Sequence, residues 1–179
     1  MHIYRPNNPH RRGFTLIELL AVIAIIGLLA TISAVAVNRA RHAARVAAAQ
    51  EDLAQLRTAV LLLENDTGKW PSGCPPYEDR TPEVDVRSAQ AALMVEPVPG
   101  SYSGCDWTSQ EVDNWQGPYV HNIDLDPWGN PYEFDPDYFP YQNCGSEETL
   151  NEGAAIISYG PNGEGRNDYD CDDVFLRLD

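Results

Sequence analysis

From Phe14 to Val37 the chain runs through 24 residues, FTLIELLAVIAIIGLLATISAVAV, with one ionisable side chain, Glu18. A helix rising about 1.5 Å per residue carries that run over about 36 Å, enough for a hydrocarbon core of roughly 30 Å. Arg5, Arg11 and Arg12 precede it, with no acid among the first 13 residues. That asymmetry sets the amino terminus in the cytoplasm and everything after the span outside. A Sec-type signal peptide also opens on basic residues and an apolar run. Here the run is too long for such a segment, and no A-x-A-ended site closes it. The span is expected to remain as a membrane helix.

Charge divides the chain at the same place. Residues 1–69 hold eight Lys/Arg and five Asp/Glu, a sum of +3, and residues 70–179 hold four and 22, a sum of -18. The total of -15 argues against a nucleic-acid partner, because phosphate would be repelled. One domain outside the membrane is the size that 179 residues allow.

Beyond the span, Val46, Ala49, Leu53, Leu56, Val60 and Leu63 recur at spacings of three and four, a seam of helical period. Arg39, Arg41, Arg45, Glu51, Asp52 and Arg57 lie off it. Asn65-Asp66-Thr67-Gly68 then stops the helix, with Gly68 as its carboxy-terminal cap and Pro71 barring resumption. The reading is one helix of about 50 residues, half in lipid and half amphipathic. Two helices broken near Asn38 are the alternative. After residue 70 the composition turns to Pro, Cys, Trp and Tyr. Gly117–Val120, Tyr132–Phe134 and Ala155–Tyr159 read as strands, and Ser88–Val95 as a short helix ended by Pro97. The expected fold is α+β: a long helix whose seam packs on a small antiparallel sheet.

Glu18 is the anomaly of the span. A carboxylate in lipid is costly unless it reaches the headgroups or finds a partner. Its setting, Arg11-Arg12-Gly13-Phe14-Thr15-Leu16-Ile17-Glu18, resembles the signal of type IV prepilins and type II secretion pseudopilins. Asp126-Pro127-Trp128-Gly129-Asn130-Pro131-Tyr132 and Ser158-Tyr159-Gly160-Pro161-Asn162-Gly163 are similar to segments of the major, G-type pseudopilins. Glu64-Asn65-Asp66-Thr67-Gly68-Lys69-Trp70-Pro71 resembles their helix end, with Trp70 in place of Tyr.

The resemblance implies that prepilin peptidase cuts between Gly13 and Phe14 and that the new Phe14 amine is methylated. It implies that Glu18 pairs with the amino-terminal ammonium of a neighbouring subunit, so that two buried charges reward correct register. It implies boundaries at 1–13 for the leader, 14–37 for the transmembrane helix, 38–69 for its amphipathic continuation and 70–179 for a periplasmic domain. The implied role is a filament subunit of the inner membrane, associating with itself and with other pseudopilins, and with the secretion assembly platform. A surface type IV pilin and a pilin-anchored sugar- or metal-binding module are the alternatives.

Two further motifs carry possible chemistry. Asn162, Asp168, Asp170, Asp172 and Asp173 crowd a Gly-rich loop. Alone, such a loop reads as solvated acid surface, since its spacing is not that of an EF-hand. The resemblance implies a Ca²⁺ site built from Asn162, Asp170, Asp172 and Asp173 with backbone carbonyls near Tyr159, although Cys171 and Asp172 depart from the family's pattern. Cys74, Cys105, Cys144 and Cys171 contain no C-x-x-C and lie on the oxidising side, so they read as two disulfides rather than a zinc site. Three connectivities are open, with Cys74–Cys105 and Cys144–Cys171 favoured.

Signatures of catalysis are missing: Gly100-Ser101-Tyr102-Ser103-Gly104 has Tyr102 at the nucleophile position of G-x-S-x-G, and the four His form no H-E-x-x-H. Trp107, Trp115, Trp128, Tyr138, Phe139 and Tyr141 read as packing residues rather than a carbohydrate platform.

Overall fold

The structure, a computed structural model, describes residues 13–76, 82–102, 105–140, 144, 151–166 and 169–178. Helix α1, Leu16–Thr67, is continuous, with no break at Asn38. By compactness the chain divides between His42 and Ala43. In the first unit the apolar side chains are open to their surroundings, from Phe14 to Val37. This helix is long and apolar enough to cross a membrane.

The second unit is built on the seam. Ala49, Leu53, Leu56, Ala59, Val60 and Leu63 are buried, with Val46 packed at their edge. α1 ends where Gly68, at φ +70°, donates its amide to the Glu64 carbonyl at 2.7 Å. Only glycine takes that left-handed conformation without strain.

Strand β1 is Val84–Asp85, β2 Gly100–Tyr102 and β3 Cys105–Trp107. Helix α2 is Ser109–Asn114, and strands β4, β5 and β6 are Tyr132–Tyr138, Gly153–Ser158 and Val174–Arg177. One sheet has the order β1-β4-β5-β6, antiparallel throughout, and β2 and β3 form a separate hairpin. β4 continues past the expected Phe134, through Pro136. Its register with β5 shifts between Asp135 and Tyr138, and β1 pairs only with Glu133 and Phe134, so the missing amide of Pro136 breaks no ladder bond.

β5 is buried on both faces, which fixes the layering. Ala154 and Ile156, with Tyr132 and Phe134 of β4, join the core around α1. Ala155 and Ile157 face the other way, into a second cluster with Tyr138, Tyr159 and Tyr169. Trp70 meets Phe134 edge-on at 5.5 Å. Polar contacts link helix and sheet as well: the Tyr132 hydroxyl donates to Asp52 at 2.7 Å, and Arg57 Nε donates to the Arg177 carbonyl at 2.9 Å.

Two expected elements are corrected. Gly117–Val120 is not a strand: Pro118 has no amide, and those of Tyr119 and Val120 converge on the single carbonyl of Leu93. Ser88–Val95 is not a helix beyond one 3₁₀ turn at Ala89–Ala91, because Ala92 is left-handed at φ 57° and sends buried Leu93 into the core. The β2–β3 hairpin and α2 were not anticipated. α2 opens on a capping box, Thr108 with Glu111, whose T-x-x-E spacing is legible in the sequence.

Candidate functional site

The first site is the head of α1. Gly13 has nothing near the place of a Cβ, and Phe14 is 91% exposed, so the Gly13–Phe14 bond lies in the open ahead of the helix. Thr15 caps that helix, and Glu18 closes a capping box. Glu18 Oε2 accepts from the Thr15 amide at 2.9 Å and hydroxyl at 2.8 Å, while the Glu18 amide donates to Thr15 Oγ1 at 3.3 Å. The Thr15-x-x-Glu18 spacing of such a box is legible in the sequence. Glu18 therefore folds back toward the helix head, where the helix dipole favours a carboxylate. Its Oε1 has no partner among the described residues.

The second site is the loop from Gly160 to Asp173, which covers the outer face of the sheet. Its root is braced by the segment Asp126–Tyr132. Asp126 Oδ1 accepts the amides of Trp128, Gly129 and Asn130 at 2.8–2.9 Å, and its Oδ2 takes the Ser158 hydroxyl at 2.5 Å. Asn130 in turn donates to the Gly160 carbonyl at 2.7 Å. Gly160 sits at φ +56°, and a Cβ there would strike the Asp172 carbonyl.

Inside the loop, Asn162 Nδ2 lies between Asp170 at 2.6 Å and Asp172 at 3.1 Å, and its amide also donates to Asp172. Asp173 Oδ2 accepts from the Asp170 amide and the Tyr138 hydroxyl, and its buried Oδ1 has no hydrogen-bond partner among the described residues. Burial pushes the Asp173 carboxyl up to about 7. A side-chain hydrogen bond with Asp172 holds Asp170 below the usual carboxylate range, whereas burial and then that contact raise Asp172. Asp168 lies outside the described residues.

The structure thus brings Asn162, Asp170, Asp172 and Asp173 together. Among the described residues, however, no three His, Cys, Asp or Glu side chains are gathered as a metal cage. The Tyr159 carbonyl accepts the Gly163 amide. The carboxylate donors still fit a hard cation: they are oxygens, and one buried carboxylate oxygen is orphaned among the described residues.

Cys74 is bonded to Cys105 and Cys144 to Cys171, with Cα separations of 5.0 and 5.2 Å. The second bridge anchors the acidic loop between Asp170 and Asp172. Sequence reasoning missed Arg166, which reaches from the same loop to Glu133 at 3.0 Å and Glu83 at 3.8 Å. It also missed Asp135, wholly buried behind the loop. Trp107 and Tyr138 are buried in packing, Trp115, Trp128 and Phe139 are partly so, and Tyr141 lies outside the described residues.

Residues 8–34 match the family model of the prokaryotic N-terminal methylation motif. The chain carries a type IV pilin signal. No curated protein matches it. A solved structure similar to it is that of the major pseudopilin from the type 2 secretion system of enterohaemorrhagic Escherichia coli. That likeness has 17% identity and a TM-score of 0.41, and covers 74% of this chain and 85% of that one.

Proposed function

We propose that this chain is a pseudopilin. Prepilin peptidase cuts it between Gly13 and Phe14, the new amine is methylated, and the mature subunits bundle through α1 into a periplasmic filament that drives type II secretion. The methylation motif over residues 8–34 carries this reading, since it falls on an open Gly-Phe bond followed by an exposed apolar helix. Glu18, already turned toward the helix head, keeps one carboxylate oxygen for the ammonium of a neighbouring copy. The domain outside the membrane binds Ca²⁺ through Asn162, Asp170, Asp172 and Asp173, whose crowded charge a cation would balance.

Mass spectrometry of the chain co-expressed with a prepilin peptidase is the direct test. Loss of residues 1–13 with one methyl group on Phe14 is expected, and an intact amino terminus refutes the proposal. Deletion of the gene should leave exported proteins in the periplasm. Normal export with lost surface filaments would instead make the chain a surface pilin.

A further inference from the structure

Between α1 and the segment at 120–124 lies a recess of about 200 Å³, lined by Asp52, Gln55, Asn122, Asp124 and Tyr132 together with apolar side chains. Asp52 takes the Tyr132 hydroxyl and Asp124 the Asn122 carboxamide, but no described lysine or arginine forms an ion pair with either acid. The polar lining is acceptor-rich and has room for one long cationic side chain.

The same chain presents cations without acids. Lys69, Arg87 and Arg166 are ion-paired, and Arg57 and Arg177 donate to carbonyls. Arg39, Arg41 and Arg45 are exposed on α1 and make no ion pair among the described residues. Arg45 precedes Asp52 by seven residues, two turns short of about 20°, so the two share a face about 10.5 Å apart along the axis. Within one helix that gap exceeds the reach of i,i+4 pairing. A second helix, parallel and displaced by the same distance, brings its Arg45 level with Asp52.

We infer that the recess is a docking site for a second copy of this chain, whose Arg45 enters it and pairs with Asp52 and Asp124. The contact rests on the filament reading above and assigns it a stagger. Charge complementarity selects the occupant: the recess is lined by two acids without an ion pair, and Arg39, Arg41 and Arg45 are exposed with none among the described residues.

The test uses the full chain, co-expressed with prepilin peptidase and an assembly apparatus, and measures the sedimentable filament fraction. Arg45→Asp and Asp124→Arg are each expected to lower it at least about fivefold, the factor of an exposed pair near 1 kcal/mol, and the combined variant to recover within about twofold. Arg39→Asp makes the same charge change about 220° around the helix from Asp52 and should assemble like wild type. Failure of the combined variant to recover, or an equal loss in Arg39→Asp, overturns the contact while leaving the filament reading intact. A wild-type chain that never sediments refutes both.

Discussion

Asp135 offers the sharpest perturbation. It is fully buried on β4, with Oδ1 accepting the Asp137 amide at 3.0 Å and Oδ2 the Tyr169 hydroxyl at 2.9 Å. Burial dominates and pushes its carboxyl up to about 8, against about 3.9 in an unfolded chain. The folded state therefore holds a proton that the unfolded chain has released between about pH 4 and pH 8. Across that window stability falls as pH rises, by about 1.4 kcal/mol per pH unit for one such proton. From pH 5 to pH 7.5 the loss is about 3 kcal/mol.

Asp135→Asn removes the titration and nearly keeps the shape, since the Tyr169 hydroxyl can turn to accept from Nδ2. Urea unfolding of the detergent-solubilised chain, with disulfides intact and calcium chelated, should show wild type losing about 3 kcal/mol relative to the variant between pH 5 and pH 7.5. The difference curve is the measure, because burial raises Asp173, Glu83 and Glu133 in both proteins. Parallel curves for wild type and variant would refute the reasoning.

Gly160→Ala should cost about 2–4 kcal/mol in the same unfolding assay, since the left-handed φ and the Asp172 carbonyl both oppose a Cβ. A cost under about 0.5 kcal/mol would mean that the loop root shifts freely. Added Ca²⁺ at a hundred times its dissociation constant should stabilise the wild type by about 2.7 kcal/mol and leave Asp173→Asn unmoved. An unchanged Ca²⁺ response in that variant rules out Asp173 as a ligand.

Much of this was legible because it depends on period and punctuation. The seam from Val46 to Leu63 needs only helical spacing, and Gly68 only a left-handed stop. What escaped depends on tertiary context. Gly117–Val120 has strand-forming residues, yet no neighbouring edge takes its amides, which go instead to Leu93. Asp135 alternates with Glu133 and Asp137 like any solvent face of a strand; only the returning loop, with Tyr159 and Tyr169, makes that face an interior. Asn162 stands beside the acids, and its carboxamide donates to Asp170 and Asp172, a role that spacing cannot reveal.

The Asp126–Tyr132 segment and the acidic loop form one layer, and its construction bears on what a cation would add. Asp126 and Asn130 fix the loop root, and Gly163 leaves room for the Asn130 carboxamide where a Cβ would collide. Arg166 fixes the middle through Glu133, and Cys144–Cys171 fixes the far end. Three anchors of different chemistry thus hold the loop at its root, at Arg166 and at Cys171. Asp170 precedes the third anchor and Asp172 and Asp173 follow it directly, and there the remaining conflict is electrostatic rather than geometric. Calcium would offset that repulsion and satisfy the orphaned Asp173 oxygen, so its effect belongs on stability and not on the fold. Chelation should therefore lower the unfolding midpoint while the tyrosine cluster behind the loop keeps its near-ultraviolet circular dichroism, and loss of that signal at neutral pH without denaturant would show instead that the ion builds the layer.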